Sequence, residues 1–367
     1  MILRITKIIG CGRSEQGVYT AIVGACCDST VFGNLSILYI YPMKKISILV
    51  PEDAVLASID DPRMMFAGVN EFLLASGREP MFQIELVGMT SSVALHGGRF
   101  TVHTDRLLHE VERTDLIFIP ALIGDMQEAL QKNAQMLPWL REQYAKGAEL
   151  VSLCIGAFLL ASTGLLNGKK CSTHWRSAND FRIMFPEIDL VDDTIITEEQ
   201  GLYTSGGANS YWNLLVYLVE KMAGRPMAIT AAKVYAIEIE RKSQSPFIMF
   251  NGQKGHSDEP VRLAQEFIEK NVGDKISVEE LATRFAIGRR NFERRFKKAT
   301  NNTPIEYIQR VKIEAAKKGL ENGRKNVSEV MYEVGYADTK SFRSIFKKIT
   351  GLSPADYRNK YNKEAIL

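Results

Sequence analysis

The stretch ISVEELATRFAIGRRNFERRFKKATNNTPIEYIQR (276–310) returns fifty residues later as NVSEVMYEVGYADTKSFRSIFKKITGLSPADYRNK (326–360). Laid over each other at that offset without a gap, Phe292 meets Phe342, Phe296 meets Phe346, and Lys297-Lys298 meets Lys347-Lys348. Thr300 meets Thr350, Pro304 meets Pro354 and Tyr307 meets Tyr357. Two copies fall short of the roughly three units that a stacked solenoid needs to bury its faces. They describe a pair of like units, each doing one job at its own place.

Each copy predicts helix, tight turn, helix. In the first, Ser277 is placed to cap a helix whose first turn carries Glu279 and Glu280, where carboxylates suit the helix dipole. Val278, Leu281, Ala282 and Phe285 recur at helical spacing, and Ala286-Ile287-Gly288 breaks the pattern. A second helix over about 289–299 buries Phe292, Phe296 and Ala299 and leaves Arg289, Arg290, Glu293, Arg294, Lys297 and Lys298 outside. In the second copy Val327, Val330, Met331 and Val334 face inward and Gly335-Tyr336-Ala337 turns. Asp338 then caps a helix that buries Phe342, Ile345 and Phe346 and exposes Thr339, Lys340, Arg343, Ser344, Lys347 and Lys348. This is the pattern of a helix-turn-helix, whose second helix enters the DNA major groove.

A basic face on an ordinary helical bundle would share part of this pattern, and charge separates the two. Residues 256–367 hold 23 Lys and Arg against 16 Asp and Glu, a net of +7. The other 255 residues hold 23 against 27, a net of −4. The overall +3 therefore joins a basic C-terminal region to a mildly acidic body, as expected where one end meets phosphates.

Phe292-x-Arg294-x-Phe296-Lys297, followed by Thr303-Pro304-x-x-Tyr307-Ile308, resembles the AraC/XylS-type transcription regulators. So does Val334-Gly335-Tyr336-x-Asp338-x-x-x-Phe342-x-x-x-Phe346-Lys347, followed by Gly351-x-Ser353-Pro354-x-x-Tyr357-Arg358. The resemblance spans about 261–360 and implies seven helices, the long one at about 304–321 holding two reading helices apart. It implies double-stranded DNA as a partner, with a homodimer and RNA polymerase as further partners. Ser344 stands where the first copy has Arg294, which makes the units unequal readers.

Upstream, 46% hydrophobic and 24% charged residues describe an ordinary globular composition. No run approaches the roughly 20 apolar residues of a membrane span. Cys11, Cys26, Cys27, Cys154 and Cys171 form neither a disulfide framework nor metal-binding dyads, so a reducing cytoplasm is expected, with no metal and no cofactor. Residues 1–42 read as a poorly structured extension or a mis-assigned start, with Met43 the expected initiator before the strand at 46–50.

Residues 43–244 alternate short apolar strands with helices. The strands are expected at 46–50, 82–88, 116–119 and 149–153, and the helices at about 62–76 and 125–145. This is the form of an α/β sandwich around a parallel sheet, whose ligands sit beyond the strands' carboxyl ends. Cys154 stands at such an end, between Leu150-Val151-Ser152-Leu153 and the helix opening at Gly156. A strand-to-helix elbow exposes its central side chain and favours a thiolate. A small buried cysteine filling a tight corner fits the spacing equally.

Ser152-x-Cys154-x-Gly156-Ala157-Phe158, with Gly164-Leu165-Leu166-x-Gly168, Thr173-His174-Trp175 and Thr204-Ser205-Gly206-Gly207, resembles the class I glutamine-amidotransferase-like (flavodoxin-like) superfamily. More narrowly, it resembles the domain that precedes AraC-type modules in the GlxA group of regulators. That resemblance implies a ligand-sensing or oligomerisation domain for a small-molecule effector, its pocket drawn from Ser58, Cys154, Ile155 and His174. It also implies catalytic candidates, Cys154 as nucleophile and His174 as base, and with them an alternative function. The alternative is a cysteine-dependent amidase, hydratase or peptidase-like enzyme fused to a DNA-binding module. Ile155 and Ser58 stand where enzymatic members carry helper residues, and the expectation is a regulator without catalysis. Polar residues mark 245–260 as a linker before the DNA-binding domain at 261–367, with Phe247-Ile248-Met249-Phe250 expected to dock on a domain.

Overall fold

The computed structural model describes residues 8–13, 19–23, 38–40, 43–239, 241 and 243–362. The chain divides into two compact units. One comprises Met1–Thr173, Glu187–Asp189 and Ile196–Arg241; the other comprises His174–Pro186, Leu190–Ile195 and Lys242–Leu367.

The first unit is built on a seven-stranded sheet. In chain order the strands are β1 (Lys44–Leu49), β2 (Phe82–Gly88), β3 (Arg106–Leu107), β4 (Leu116–Ile119), β5 (Glu149–Ser152), β6 (Ile196–Glu199) and β7 (Leu202–Ser205). Their spatial order is β6-β7-β5-β4-β1-β2-β3, parallel throughout except for the edge strand β6. The expected strands are all present. Ile46, Ile48, Leu116, Phe118 and Val151 pack on one face with α1 (Leu56–Ala75) and, later in the chain, Tyr211–Ala223 and Arg225–Val234. The intervening Leu49, Ile117, Ile119 and Leu150 are as deeply buried, as a sheet covered on both faces requires.

Two helices differ from expectation. α1 begins at Leu56, ahead of Pro62, which lies inside it. The helix expected over 125–145 is two, α2 (Met126–Lys132) and α3 (Met136–Ala145). Asn133 makes the break: its fully buried amide donates to Glu52 O and Ala129 O and accepts from Glu52 N, bonds a continuing helix would forgo. α4 (Ala157–Ser162) follows β5, and the pair named above are α5 (Tyr211–Ala223) and α6 (Arg225–Val234). Within 1–42, expected to lack regular structure, Ile8–Arg13, Tyr19–Val23 and Leu38–Ile40 form a three-stranded antiparallel sheet. Ile8, Ile9, Tyr19, Ile22, Val23 and Tyr39 are strand formers, dispersed so that no long apolar run marks them. The rest of that segment lies outside the described residues.

From Glu259 the chain is helical: α7 (Glu259–Lys270), α8 (Val278–Arg284), α9 (Arg289–Thr300), α10 (Pro304–Asn322), α11 (Val327–Glu333), α12 (Thr339–Thr350) and α13 (Pro354–Tyr361). Among the described residues these are the seven helices expected, with the long one in its expected place. The repeat is three-dimensional. Thr300 and Thr350 each donate to the carbonyl four residues back, at 2.8 Å. Tyr307 and Tyr357 each bury a ring against Phe296 or Phe346 and give the hydroxyl to a glutamate, Glu269 or Glu321. The offset is not uniform, however. Caps Ser277 and Asn326, and helices α8 and α11, are 49 apart, whereas α9 and α12 are 50 apart. The ungapped alignment is thus corrected by one residue, which falls in the second turn after Tyr336, because the turn bonds Ile287 N to Ala282 O and Tyr336 N to Met331 O are still 49 apart.

Phe250, in the stretch expected to dock, packs its ring edge-on against Tyr307, and Lys317 Nζ donates to Ile248 O at 2.6 Å. Among the described residues no helix is long and apolar enough to cross a membrane.

Candidate nucleic-acid interface and strand-to-helix elbow

α9 and α12 hold their faces by the same means. Phe292, Phe296, Phe342 and Phe346 are fully buried, which turns the basic residues between them outward. Arg289, Arg290, Arg294, Lys297 and Lys298 are exposed on α9, and Thr339, Lys340, Arg343, Ser344, Lys347 and Lys348 on α12. Glu293 is only half-buried.

Arg289 is ion-paired to both Glu279 and Glu293, and Arg294 donates to Asn291 Oδ1 at 2.8 Å. Lys297 donates to Asn301 O at 2.8 Å. Among the described residues no ion pair engages Arg290, Lys298, Lys340, Arg343, Lys347 or Lys348. Arg290 and Arg294 stand one turn apart on the same exposed side. Arg295, one position on, is turned inward to a two-pronged pair with Asp258, the α7 cap, at 2.8 Å on both prongs. That pair holds the Asp258 carboxyl below the usual carboxylate range and ties the reading helix to α7.

The two reading helices start differently. Asp338 accepts from Ser341 N and caps α12, while Gly288 opens α9 without a side-chain cap.

The elbow has the expected backbone and a different chemistry. Cys154 lies in the left-handed region at φ +55°, between the extended Leu153 and the start of a short 3-10 turn. Gly156 explains why the chain can turn here: a Cβ on it would sit 2.5 Å from both Ile119 O and Pro120 O. Cys154 N donates to Ser205 Oγ at 3.1 Å, and Thr173 Oγ1 donates to Cys154 O at 3.1 Å.

The residue is 5% exposed, and burial pushes its thiol up to about 12. Cys171 is equally raised by burial, to about 12. The expectation of a low-pKa, accessible thiol at the elbow is corrected, because desolvation of a thiolate outweighs the pull of so short a helical start. Iodoacetamide at pH 8 should leave Cys154 and Cys171 unmodified in native protein and alkylate both after guanidinium unfolding. Rapid modification of native Cys154 alone would restore the reactive elbow.

Each of the other pocket candidates has contacts of its own. Ser58 is fully buried, donates to Val55 O at 2.6 Å and accepts from Ala121 N at 3.0 Å, so its hydroxyl serves the first turn of α1. Ile155 packs against the apolar core. His174 belongs to the second unit and caps its own turn, Nδ1 accepting from Arg176 N at 3.0 Å. Burial, then the nearby Arg176, lowers its pKa.

Asp61 is a residue that the sequence analysis did not single out. Its half-buried carboxyl accepts from Tyr211 OH at 2.5 Å and from the Trp212 side chain, and burial raises its pKa. Burial, then Asp61, raises the Tyr211 phenol, with Cys154 a lesser contributor. The acidic pair Asp60-Asp61 was visible; α1 starting early is what turns Asp61 inward.

Comparison with known proteins places both halves. Residues 281–360 match the family described as a helix-turn-helix domain, and residues 75–221 match the DJ-1/PfpI family. The chain is 24% identical over 245 residues to the HTH-type transcriptional regulator GbdR of Pseudomonas aeruginosa (strain UCBPP-PA14), covering 66% of each chain. It is 20% identical over 302 residues to the HTH-type transcriptional regulator GlxA of Rhizobium meliloti, covering 81% of this chain and 92% of that one. A solved structure of an AraC family transcriptional regulator from Pseudomonas putida covers 52% of this chain and 99% of its own. Identity there is 18% and the TM-score 0.44.

Proposed function

Since this chain belongs to the AraC-type DNA-binding transcription regulators with a DJ-1/PfpI-type front domain, we propose that α9 and α12 read successive major grooves of one site. The observation that carries this is the doubled unit itself. Two helices with the same buried aromatic face and outward basic face flank one continuous helix of 19 residues. At 1.5 Å per residue that helix spans about 28 Å, close to one turn of duplex.

The front domain then acts as the controlling half. It takes a small-molecule effector or a second copy of the chain, in the cytoplasm, and the DNA-bound protein addresses RNA polymerase. A non-enzymatic elbow is supported by the burial of Cys154, with Ser58 and His174 committed to local bonds.

Selection of random duplexes against the full chain should return a two-part site with halves about one turn apart. Among the described residues no hydrogen bond or ion pair engages Arg290, whereas Arg294 is held by Asn291, and arginine to guanine discriminates by about 1–3 kcal/mol. Arg290→Ala should therefore flatten preference at one or two base pairs of one half. Lys298→Ala or Lys348→Ala should weaken all sequences alike and reduce the salt slope by about one. Equal loss on selected and random DNA for Arg290→Ala would sink the assignment of α9 as a reader.

A further inference from the structure

The two halves of the helical region have separate apolar cores. One surrounds Phe292 and Phe296 and ends at Val311; the other begins at Ile313 and surrounds Phe342 and Phe346. They share α10, and Val272 is partly buried against both. A shared helix fixes the distance between the units along its axis. It leaves their mutual rotation to whatever else joins them.

The join is made by Lys312, on α10 at the boundary between the cores. It is 7% exposed, and its ammonium donates to Val272 O at 2.8 Å, Asp274 O at 2.9 Å and Val334 O at 2.8 Å. The first two carbonyls lie in the loop before α8, in the first unit. The third lies at the end of α11, in the second.

An ammonium has three donors, and here all three are used on backbone from both units. The same backbones meet directly. A Cβ on Gly335 would lie 2.3 Å from Gly273 O and 2.6 Å from Lys312 Nζ, and one on Gly273 would lie 3.1 Å from Glu333 O. The first unit's loop and the second unit's turn are therefore in close backbone contact, with the lysine bonded to both. Burying an ammonium is unfavourable unless it is fully hydrogen-bonded, and removing it would strand three carbonyls.

We propose that Lys312 is a positioning residue for DNA recognition, clamping the two helix-turn-helix units at one rotation so that the chain accepts one spacing between half-sites. This rests on the paired reading above. Two linked modules gain affinity only where their geometry lets both engage, so a rigid joint converts half-site spacing into specificity.

The experiment uses the full chain and a duplex selected against the wild type. Versions with one base pair added or removed between the halves, and versions with either half scrambled, complete the set. One base pair turns a half-site by about 35°. Wild type should lose about tenfold or more on respacing. Lys312→Met should bind the selected duplex about tenfold more weakly, discriminate between spacings by less than about threefold, and hold single halves as wild type does.

Gly273→Ala presses on the same joint with the ammonium intact and should shift spacing preference in the same direction, which keeps the test usable if Lys312→Met fails to fold. A wild type indifferent to spacing overturns the paired reading and this assignment with it. A wild type that discriminates, beside variants that discriminate as sharply or lose half-site and full-site binding in equal measure, overturns this assignment alone.

Discussion

Phe296→Ala is expected to remove about 3–5 kcal/mol from the first helix-turn-helix unit and to leave the second folded. Phe296 is fully buried, with Phe292 at 5.5 Å and Tyr307 at 5.3 Å between ring centroids. Its truncation opens a cavity that Ile308 and Val311 on a rigid helix cannot close. Domain stabilities are only about 5–15 kcal/mol, so a unit with its own small core loses a large share of what holds it.

The second core contains neither residue, and Phe346→Ala should produce the mirror result. Denaturant titration followed by hydrogen exchange in each half reads the outcome. Displacement of one cooperative transition by the same amount in both halves would show that the cores unfold together and would defeat the expectation.

The second large effect is at the elbow. Gly156→Ala should destabilise the front domain by about 3 kcal/mol or more, because the added methyl meets two carbonyl oxygens at 2.5 Å. Those oxygens belong to Ile119 and Pro120 at the end of β4, in the middle of the sheet, so no side chain can swing aside. The measurement is the unfolding midpoint of Gly156→Ala against wild type, with soluble yield alongside. A wild-type midpoint would mean that β4 and α4 can separate, and that the glycine is there for another reason.

How far the sequence could be read depended on what each signal reports. The buried aromatics at 292, 296, 342 and 346 and the caps Ser277 and Asp338 are local signals of period and polarity, and the structure places them as expected. The central parallel strands β1, β4 and β5 are buried on both faces, and their apolar runs announced them.

Four features were hidden because they depend on partners far along the chain. Asn133 breaks a helix by bonding to Glu52, 81 residues away. Ser58 looked like a vacant helper position and instead receives an amide from Ala121, 63 residues on. The elbow's chemistry was misjudged most. Spacing reveals that Cys154 turns a corner, but not that the corner is dry, and dryness sets its thiol. Lys312 sits on a long helix like any surface lysine, and nothing local marks it as buried.

The single residue that distinguishes the second turn from the first has a consequence for anyone exchanging or inserting sequence here. A helix advances about 100° per residue, so a residue added inside α12 would swing Phe342 and Phe346 away from their core and bring lysines under them. Added in the turn between Tyr336 and the cap Asp338, it leaves both helices in phase. An insertion at Ala337, the residue the first turn lacks and clear of the contact between Gly335 and Gly273 O, should therefore be tolerated, and one four residues later ruinous. Chimeras that swap one unit for the other should be cut by structural register, Ser277 with Asn326 and Arg289 with Thr339. A constant shift of fifty would set the whole first helix one residue out of step.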